Sequence, residues 1–463
     1  MIPGENNPEA PSASRPGFVS DLKHMLRAFK HYNYRLFFIG QGISVIGTWM
    51  QMVAMSWLIY KLTGSAMLLG AVGFVTQIPY LIVTPFAGVL IDRLDRRRIL
   101  FWTQGLATLQ AVILTVIVYT GVVQIWHIFA LGLFIGLVNS VDMPTRQAFV
   151  IKMVGRREDL ASAIAMNSAI FNGARLIGPL IAGFVIAGFG EKVCFLVNAV
   201  SFLAVIISLA LMRIDHATPE RGEAKVFAEL KEGLSYTFRT PPIRSILLML
   251  SFLSLTAMPY ITIMPVMAKL VLSGDARTYG FLMGAIGVGA LGGAVFLASR
   301  KAFVGLWNVI PIASCIFGTG LLLFSFSRSL WISLFLMVVA GFGMMAQLAT
   351  SNTVIQNIVD ESKRGRVMAF YSTAMMGILP FGNLLVGGLA DLITAPWTIF
   401  AGGVAAILAA IVFSTRLGNF KGITQSPSVV TTPPRRSEIA VENRAQQAVP
   451  RANRAKRATP PAK

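Results

Sequence analysis

The 463-residue chain offers few side chains able to do chemistry, and their spacing excludes most reactions. Its four histidines, His24, His31, His127 and His216, are too scattered to form a metal-ligand set. Cys194 and Cys315 match neither a metal nor a disulfide spacing. No serine, cysteine or acidic residue stands in a recognisable catalytic arrangement, and no nucleotide-binding P-loop is present, so direct use of ATP is not expected. Neither a metal, a cofactor nor an enzymatic reaction is predicted.

What remains is a set of polar residues inside apolar runs. Arg175 lies about twelve residues into its run, roughly 18 Å deep by helix rise. A central arginine costs roughly 2.5–3.5 kcal/mol to insert and normally faces a bundle interior or a watery cavity. Ser168, Asn172, Arg175 and Pro179 are spaced four, three and four apart and so share one helical face, a polar stripe crowned by a cation. Such a stripe suits recognition of an anionic or oxygen-rich molecule, a conformational ion pair, or a purely structural pair. Gln41, Ser44, Thr48, Gln51 and Met55 form a second stripe, expected to line a wet or interfacial face. Gln347, Thr350, Ser351 and Asn352 form a third group, and Ser372, Thr373 and Asn383 a fourth; uncharged polar residues of this kind either contact a ligand or glue helices together. With 21 methionines and 31 phenylalanines among them, they suggest a roomy amphipathic cavity. Asp142, with Arg146 four residues on, is the acidic group closest to a span interior; it could titrate, coupled to Arg146 or Arg175, or cap a helix end.

These residues stand out because their surroundings are apolar. The chain is 55% hydrophobic and only 13% charged, with a mean hydropathy of +0.68, whereas soluble globular proteins are nearer 25% charged. Apolar runs long enough to cross about 30 Å of hydrocarbon recur twelve times. They cover about 34–60, 67–91, 99–120, 125–145, 161–188, 193–212, 244–268, 278–299, 304–325, 329–357, 366–390 and 395–415. The fold class is therefore an all-α polytopic membrane protein. The net charge of +20 would suggest nucleic acid in a soluble chain, but it sits in the short segments between runs, so nucleic acid is not an expected partner and the lipid bilayer is. With a cytoplasmic N-terminus, 34 of the 40 lysines and arginines fall on the cytoplasmic side and five opposite, which places both termini in the cytoplasm. The opening MIPGENNPEAPSASRPGF lacks the features of a cleaved signal, so the first helix is expected to direct its own insertion.

The longest connection divides the spans six and six. The expected organisation is a cytoplasmic segment 1–33, a six-helix half 34–212, a central cytoplasmic loop 213–243, a second six-helix half 244–415, and a disordered basic tail 416–463 able to lie on anionic headgroups. The halves repeat weakly. Leu62-Thr63-Gly64-Ser65 matches Leu272-Ser273-Gly274-Asp275, and further on Gly88 meets Gly293 and Gly183 meets Gly388. Parallel pseudo-symmetric halves place a substrate cavity between them near the midplane.

The segment Gly88-Val89-Leu90-Ile91-Asp92-Arg93-Leu94-Asp95-Arg96-Arg97-Arg98 resembles the loop signature of the major facilitator superfamily, with Asp95 where that pattern often has glycine. In the second half the equivalent stretch, Gly293 to Lys301, has lost the aspartate. Asn33–Phe38, Trp57–Ser65, Asp142–Phe149 and Asn167–Pro179 narrow the likeness to the transmembrane secretion effector branch, which includes an enterobactin exporter and relatives of macrolide efflux pumps. The resemblance implies the major facilitator fold and a functional monomer in a bacterial inner or plasma membrane. It implies a conformational latch of the outward-facing state at Gly88, Asp92, Arg93, Arg96 and Arg97, and helix bending and close packing at Gly178, Pro179 and Gly183. It further implies secondary transport of a small molecule by alternating access, with proton antiport as the family's energy source. A siderophore or related metabolite and a hydrophobic drug are the leading cargo classes, and import of a nutrient or lipid and a non-transporting receptor are the alternatives. Arg175, Asn172, Gln51, Gln41, Asp142, Arg146 and Gln347 are the cavity or coupling candidates.

Overall fold

The bilayer offers no water to the backbone, so each span must satisfy its own amides as a helix. The computed structural model, which describes residues 27–154, 157–213, 234–300 and 305–417, has twelve such spans and no strand among the described residues. They are α1 (Tyr32–Thr63), α2 (Ala66–Arg93), α3 (Arg96–Tyr119), α4 (Ile125–Met153), α5 (Arg157–Phe189) and α6 (Glu191–Leu211), then α7 (Pro241–Val271), α8 (Ala276–Ser299), α9 (Leu306–Phe326), α10 (Leu330–Ile358), α11 (Arg364–Ile393) and α12 (Ala395–Leu417). Each expected span is present. Helix α4 runs eight residues beyond its expected end, because the polar turn Asp142–Arg146 continues the helix instead of closing it. The chain divides into two units, Met1–Thr415, which holds the bundle, and Arg416–Lys463. Residues 1–26, most of the expected central loop, and the expected tail beyond Leu417 lie outside the described residues.

Short polar side chains set the helix starts. Ser65 caps α2 by accepting from Leu68 N at 3.3 Å, Asp95 caps α3 by accepting from Arg97 N at 3.0 Å, and Asp275 caps α8 by accepting from Arg277 N and Thr278 N. An oxygen at these positions satisfies amides that have no partner in the first turn. The cap also explains why Asp95 replaces the glycine of the loop pattern. Ser65 and Asp275 are repeat-related, so the two halves start their second helix by the same device.

Two spans in the second half are interrupted. In α7 the α-helix ends at Thr256, a 3-10 segment covers Met258–Ile263, and a π segment follows at Met267–Val271. Pro259 and Pro265 lack the amides that would bond back into the preceding turn. In α11 a π segment at Thr373–Gly377 precedes Pro380.

The two halves meet along two glycine-lined crossings. Between α5 and α8, a Cβ at Gly280 would lie 2.7 Å from Pro179 O and 2.9 Å from Gly183 Cα, and one at Gly287 would lie 2.7 Å from Leu176 Cα. Between α2 and α11, a Cβ at Gly387 would lie 2.6 Å from Ala66 O and 2.9 Å from Gly70 Cα. Any larger residue would push these backbones apart, and close approach is how helices gain dispersion energy in lipid. The pairs are repeat-related: Gly70 of α2 answers Gly280 of α8, and Gly183 of α5 stands one position from the counterpart of Gly387 in α11.

All these crossings lie toward the end of the bundle opposite the arginine-rich loop. That end is drawn together further by the Trp57–Tyr279 ring stack at 6.1 Å and by Lys269 over the Tyr60 ring. Asp391 at the end of α11 accepts from Ser65 Oγ (2.7 Å), Ala66 N (2.8 Å) and Met67 N (3.0 Å), so the second half caps a helix of the first. Toward the arginine-rich end the faces separate. A Cβ at Gly88 or Gly173 would meet nothing within 4 Å, and Ile82, Phe86 and Ile164 are exposed. The bundle is closed at one end and open at the other.

Candidate functional site

Arg175 sits where the opening stops. Its neighbour Leu176 packs against Gly287 of α8, while a Cβ at Gly173 would meet nothing within 4 Å. Helix α5 spans 33 residues, which puts Arg175 roughly 27 Å from one end and about 21 Å from the other. The guanidinium is partly buried and forms no ion pair or hydrogen bond with any described residue. One turn toward the opening, Asn172 donates to Ser168 O at 2.9 Å, and Ser168 is exposed. The polar stripe is thus in place, running from exposed Ser168 to buried Pro179. Beside it Val45, Ile170 and Ala174 pack with Ile46, Trp49 and Phe171, so the cation is bordered by an apolar and aromatic wall.

In the second half, Tyr260 lies in the interrupted part of α7. Its ring packs near Phe317 at 5.8 Å, its side chain is 2% exposed, and its hydroxyl has no hydrogen-bond partner. Polar spacing does not single out this tyrosine; the prolines that flank it at 259 and 265, one and five residues away, are the signal that marks it.

Asp142 and Arg146 form a second centre. Asp142 is 1% exposed and accepts from Thr103 Oγ1 at 2.6 Å and Gln104 Nε2 at 2.8 Å on α3, and from Arg146 one turn along α4. It lies inside α4, so the helix-end cap considered for it does not apply. Arg146 is spent on this pair; Arg175 is not part of it.

The loop arginines bind their own half. Arg96 donates to Ala148 O at 3.2 Å, and Arg97 donates to Leu209 O (2.6 and 3.0 Å) and Ala210 O (3.2 Å) while its guanidinium lies 5.9 Å from the Phe101 ring centre. A cation on the last carbonyls of α6 complements that helix's negative end. Arg93 and Gly88 are exposed, and the Asp92 side chain lies outside the described residues. None of the described arginines in this loop reaches the other half at this end, which is open.

Three glutamines expected at the cavity are elsewhere. Gln51 is 6% exposed and locked in a network in which it donates to Gln110 Oε1 (3.1 Å) and accepts from Asn198 Nδ2 (2.9 Å). Its stripe on α1 packs against α6 through Gly40 and Gly47, whose missing Cβ atoms leave room for Ser208, Ser201 and Asn198. Gln41 and Gln347 are each 1% exposed, so neither lines the opening. Heptad-like polar spacing does not distinguish a wet face from a dry one that pairs its amides internally. Gly178 and Gly183 serve packing, the first against Trp49 and Ile46 of α1 and the second against α8, and Pro179 is buried between them. Asn383 accepts from Thr262 Oγ1 at 2.8 Å where α11 crosses α2 and α7.

Residues 24–448 match the family described as transmembrane secretion effector. The chain is 27% identical over 383 residues to the staphyloferrin A transporter of Staphylococcus aureus (strain NCTC 8325 / PS 47), covering 82% of this chain and 95% of that one. It is 26% identical over 360 residues to the multidrug efflux pump Tap of Mycolicibacterium fortuitum, covering 76% and 86%. In fold it is similar to the crystal structure of the nucleoside transporter NupG, with a TM-score of 0.67 at 12% identity, over 83% of this chain and 99% of that one.

Proposed function

The chain belongs to the transmembrane secretion effector family of membrane transporters, and within that family we propose that it exports an amphipathic small molecule by alternating access. The observation that carries this reading is Arg175, unpaired among the described residues, at the apex of a cleft closed at one end and open at the other. A rigid swing of the halves about the two glycine crossings would open the far end and close the near one, exposing the same residue to each side in turn. With the arginine-rich end cytoplasmic, as the charge bias favours, this is the inward-facing state of a protein of a bacterial inner or plasma membrane. In that state Arg96 and Arg97 of the loop bind their own half; the latching role of the loop belongs to the outward-facing state.

A siderophore or related metabolite is the leading cargo, supported by the likeness to a transporter named for staphyloferrin A. A hydrophobic drug is the second reading, supported by the likeness to a multidrug efflux pump and by the apolar wall beside Arg175. Proton coupling, if it runs through Asp142, requires the Asp142–Arg146 pair to break during the cycle, since three donors already hold that carboxylate. The unit of function is the monomer, because both sides of the cleft come from one chain.

The test is comparative mass spectrometry of spent medium and cell extract, with and without this protein, in iron-limited and iron-replete cells, followed by complementation. Export predicts a metabolite lost outside and accumulated inside on deletion. The reverse shift would establish import, and no shift in any metabolite or added toxic compound would remove the transport reading.

A further inference from the structure

At the arginine-rich end of the second half, the start of α7 and the interrupted stretch of α11 enclose a cavity of about 150 Å³. Arg244, three residues after α7 begins at Pro241, lines its outer end. This guanidinium forms no ion pair with a described residue and reaches only Phe238 O, at 3.5 Å. Deeper in, Leu247, Leu248, Phe370, Ala374 and Ile378 make an apolar wall, and from Arg244 to Ser251 the cavity follows α7 for roughly 10 Å. Phe238 and Leu248 are exposed at its side. Thr237 lines the same space; it is 2% exposed, and its hydroxyl has no hydrogen-bond partner. The turn that carries it is tied to the connection between α10 and α11, where Tyr236 Oη donates to Asp360 at 3.5 Å and Lys363 lies 4.6 Å from the Tyr236 ring centre. A buried hydroxyl left unpaired carries the full desolvation penalty, so this cavity holds a cation and a donor and is short of an acceptor.

We infer that this cavity binds an anionic phospholipid of the adjoining leaflet, with one acyl chain inside and the phosphodiester on Arg244 and Thr237. Its polarity has the order of a lipid: a cation at the helix start, where headgroups lie, and apolar walls toward the hydrocarbon. The guanidinium fork matches two phosphate oxygens, and the Thr237 hydroxyl supplies a further donor from the preceding turn. One cation balances the single charge of a phosphodiester, and no acidic residue lines the cavity to oppose it. Size separates this occupant from a transported cargo. Drug-sized molecules fill pockets of about 300–1,000 Å³, whereas 150 Å³ admits a slender chain. Beside Ala374 and Ile378, a Cβ at Gly377 would lie 2.8 Å from Leu81 Cδ1 of α2, so the chain would end next to a contact between the halves.

The probe is dioctanoyl phosphatidylglycerol, with zwitterionic dioctanoyl phosphatidylcholine as control, on the purified full chain in detergent. Binding is read from the unfolding midpoint and from native mass spectrometry. The anionic lipid should raise the midpoint saturably, and the zwitterionic one should bind at least about tenfold more weakly. Arg244→Gln should bind the two lipids alike. Thr237→Val keeps the shape and removes the hydroxyl. It should leave the unliganded midpoint unchanged or higher, since an unpaired donor is gone, while weakening the anionic lipid about fivefold. Leu248→Trp, at an exposed position, should obstruct the chain and weaken both lipids. An undiminished preference for the anionic lipid in Arg244→Gln, or full affinity in Leu248→Trp, would overturn the site. Glycerophosphoglycerol, the same headgroup without chains, should not bind; binding as tight as the lipid's would reduce the cavity to an anion site. Displacement of the lipid by the exported metabolite would assign the cavity to cargo instead. Because binding is read without flux, failure of the transport reading leaves this result untouched.

Discussion

Asp142 illustrates how a charge survives inside a membrane protein. Its two oxygens take up three donors from two helices, and the arginine that neutralises it is one turn away on its own helix. Removing one member of such a buried pair leaves the other uncompensated, at a cost of about 3–5 kcal/mol. Asp142→Asn should therefore lower the unfolding midpoint of the purified protein sharply, and Asp142→Asn with Arg146→Gln should recover much of the loss. Equal midpoints for the single and double variants would show that the pair is not the source of stability. The one-turn spacing of Asp142 and Arg146 makes the pair legible in the sequence. The partners on α3, Thr103 and Gln104, are not legible there, because they lie 39 and 38 residues away and only packing brings them close. The same holds for Gln51, whose amide partners come from α3 and α6.

Among the helices, the closed end is held by crossings that admit no side chain and by one cap exchanged between halves. Asp391 takes the place of a second N-cap on α2, and loss of an N-cap typically costs about 0.5–2 kcal/mol. Asp391→Ala should accordingly raise the population opened at that end by about tenfold. Spin labels at Leu62 and Leu392, both exposed and on different halves, should report a longer-distance component in the variant; an unchanged distribution would reduce the cap to a local contact. The glycines of these crossings are readable as packing residues from their spacing. Their partners are not, since Gly280 against Gly183 and Gly387 against Gly70 are decided by how two independently built halves dock.

For the molecule as a whole, alternating access makes the two ends dependent on one another. Labels at Leu94 and Phe238, exposed on different halves at the arginine-rich end, should approach as the Leu62–Leu392 pair separates. The two distances should change in opposite directions when transported compound is added in lipid. If both ends stay fixed, or both widen together, the halves do not rock about the crossings and the cleft is static.

Local composition is enough to dictate the twelve spans, their division into two similar halves and the position of one deep cation. Hydrocarbon demands long apolar helices, and an arginine within one is costly wherever it points. The family likeness is equally local, written in the loop after α2. Which polar faces are wet depends instead on packing, because a stripe of glutamine and serine is equally consistent with a cavity and with a dry, self-paired seam. Packing also selects the closed end, where it alone brings Gly183 to Gly280. Those two residues stand far apart in the chain, in different halves, and their meeting depends on the docking of two helix bundles, which no local pattern encodes.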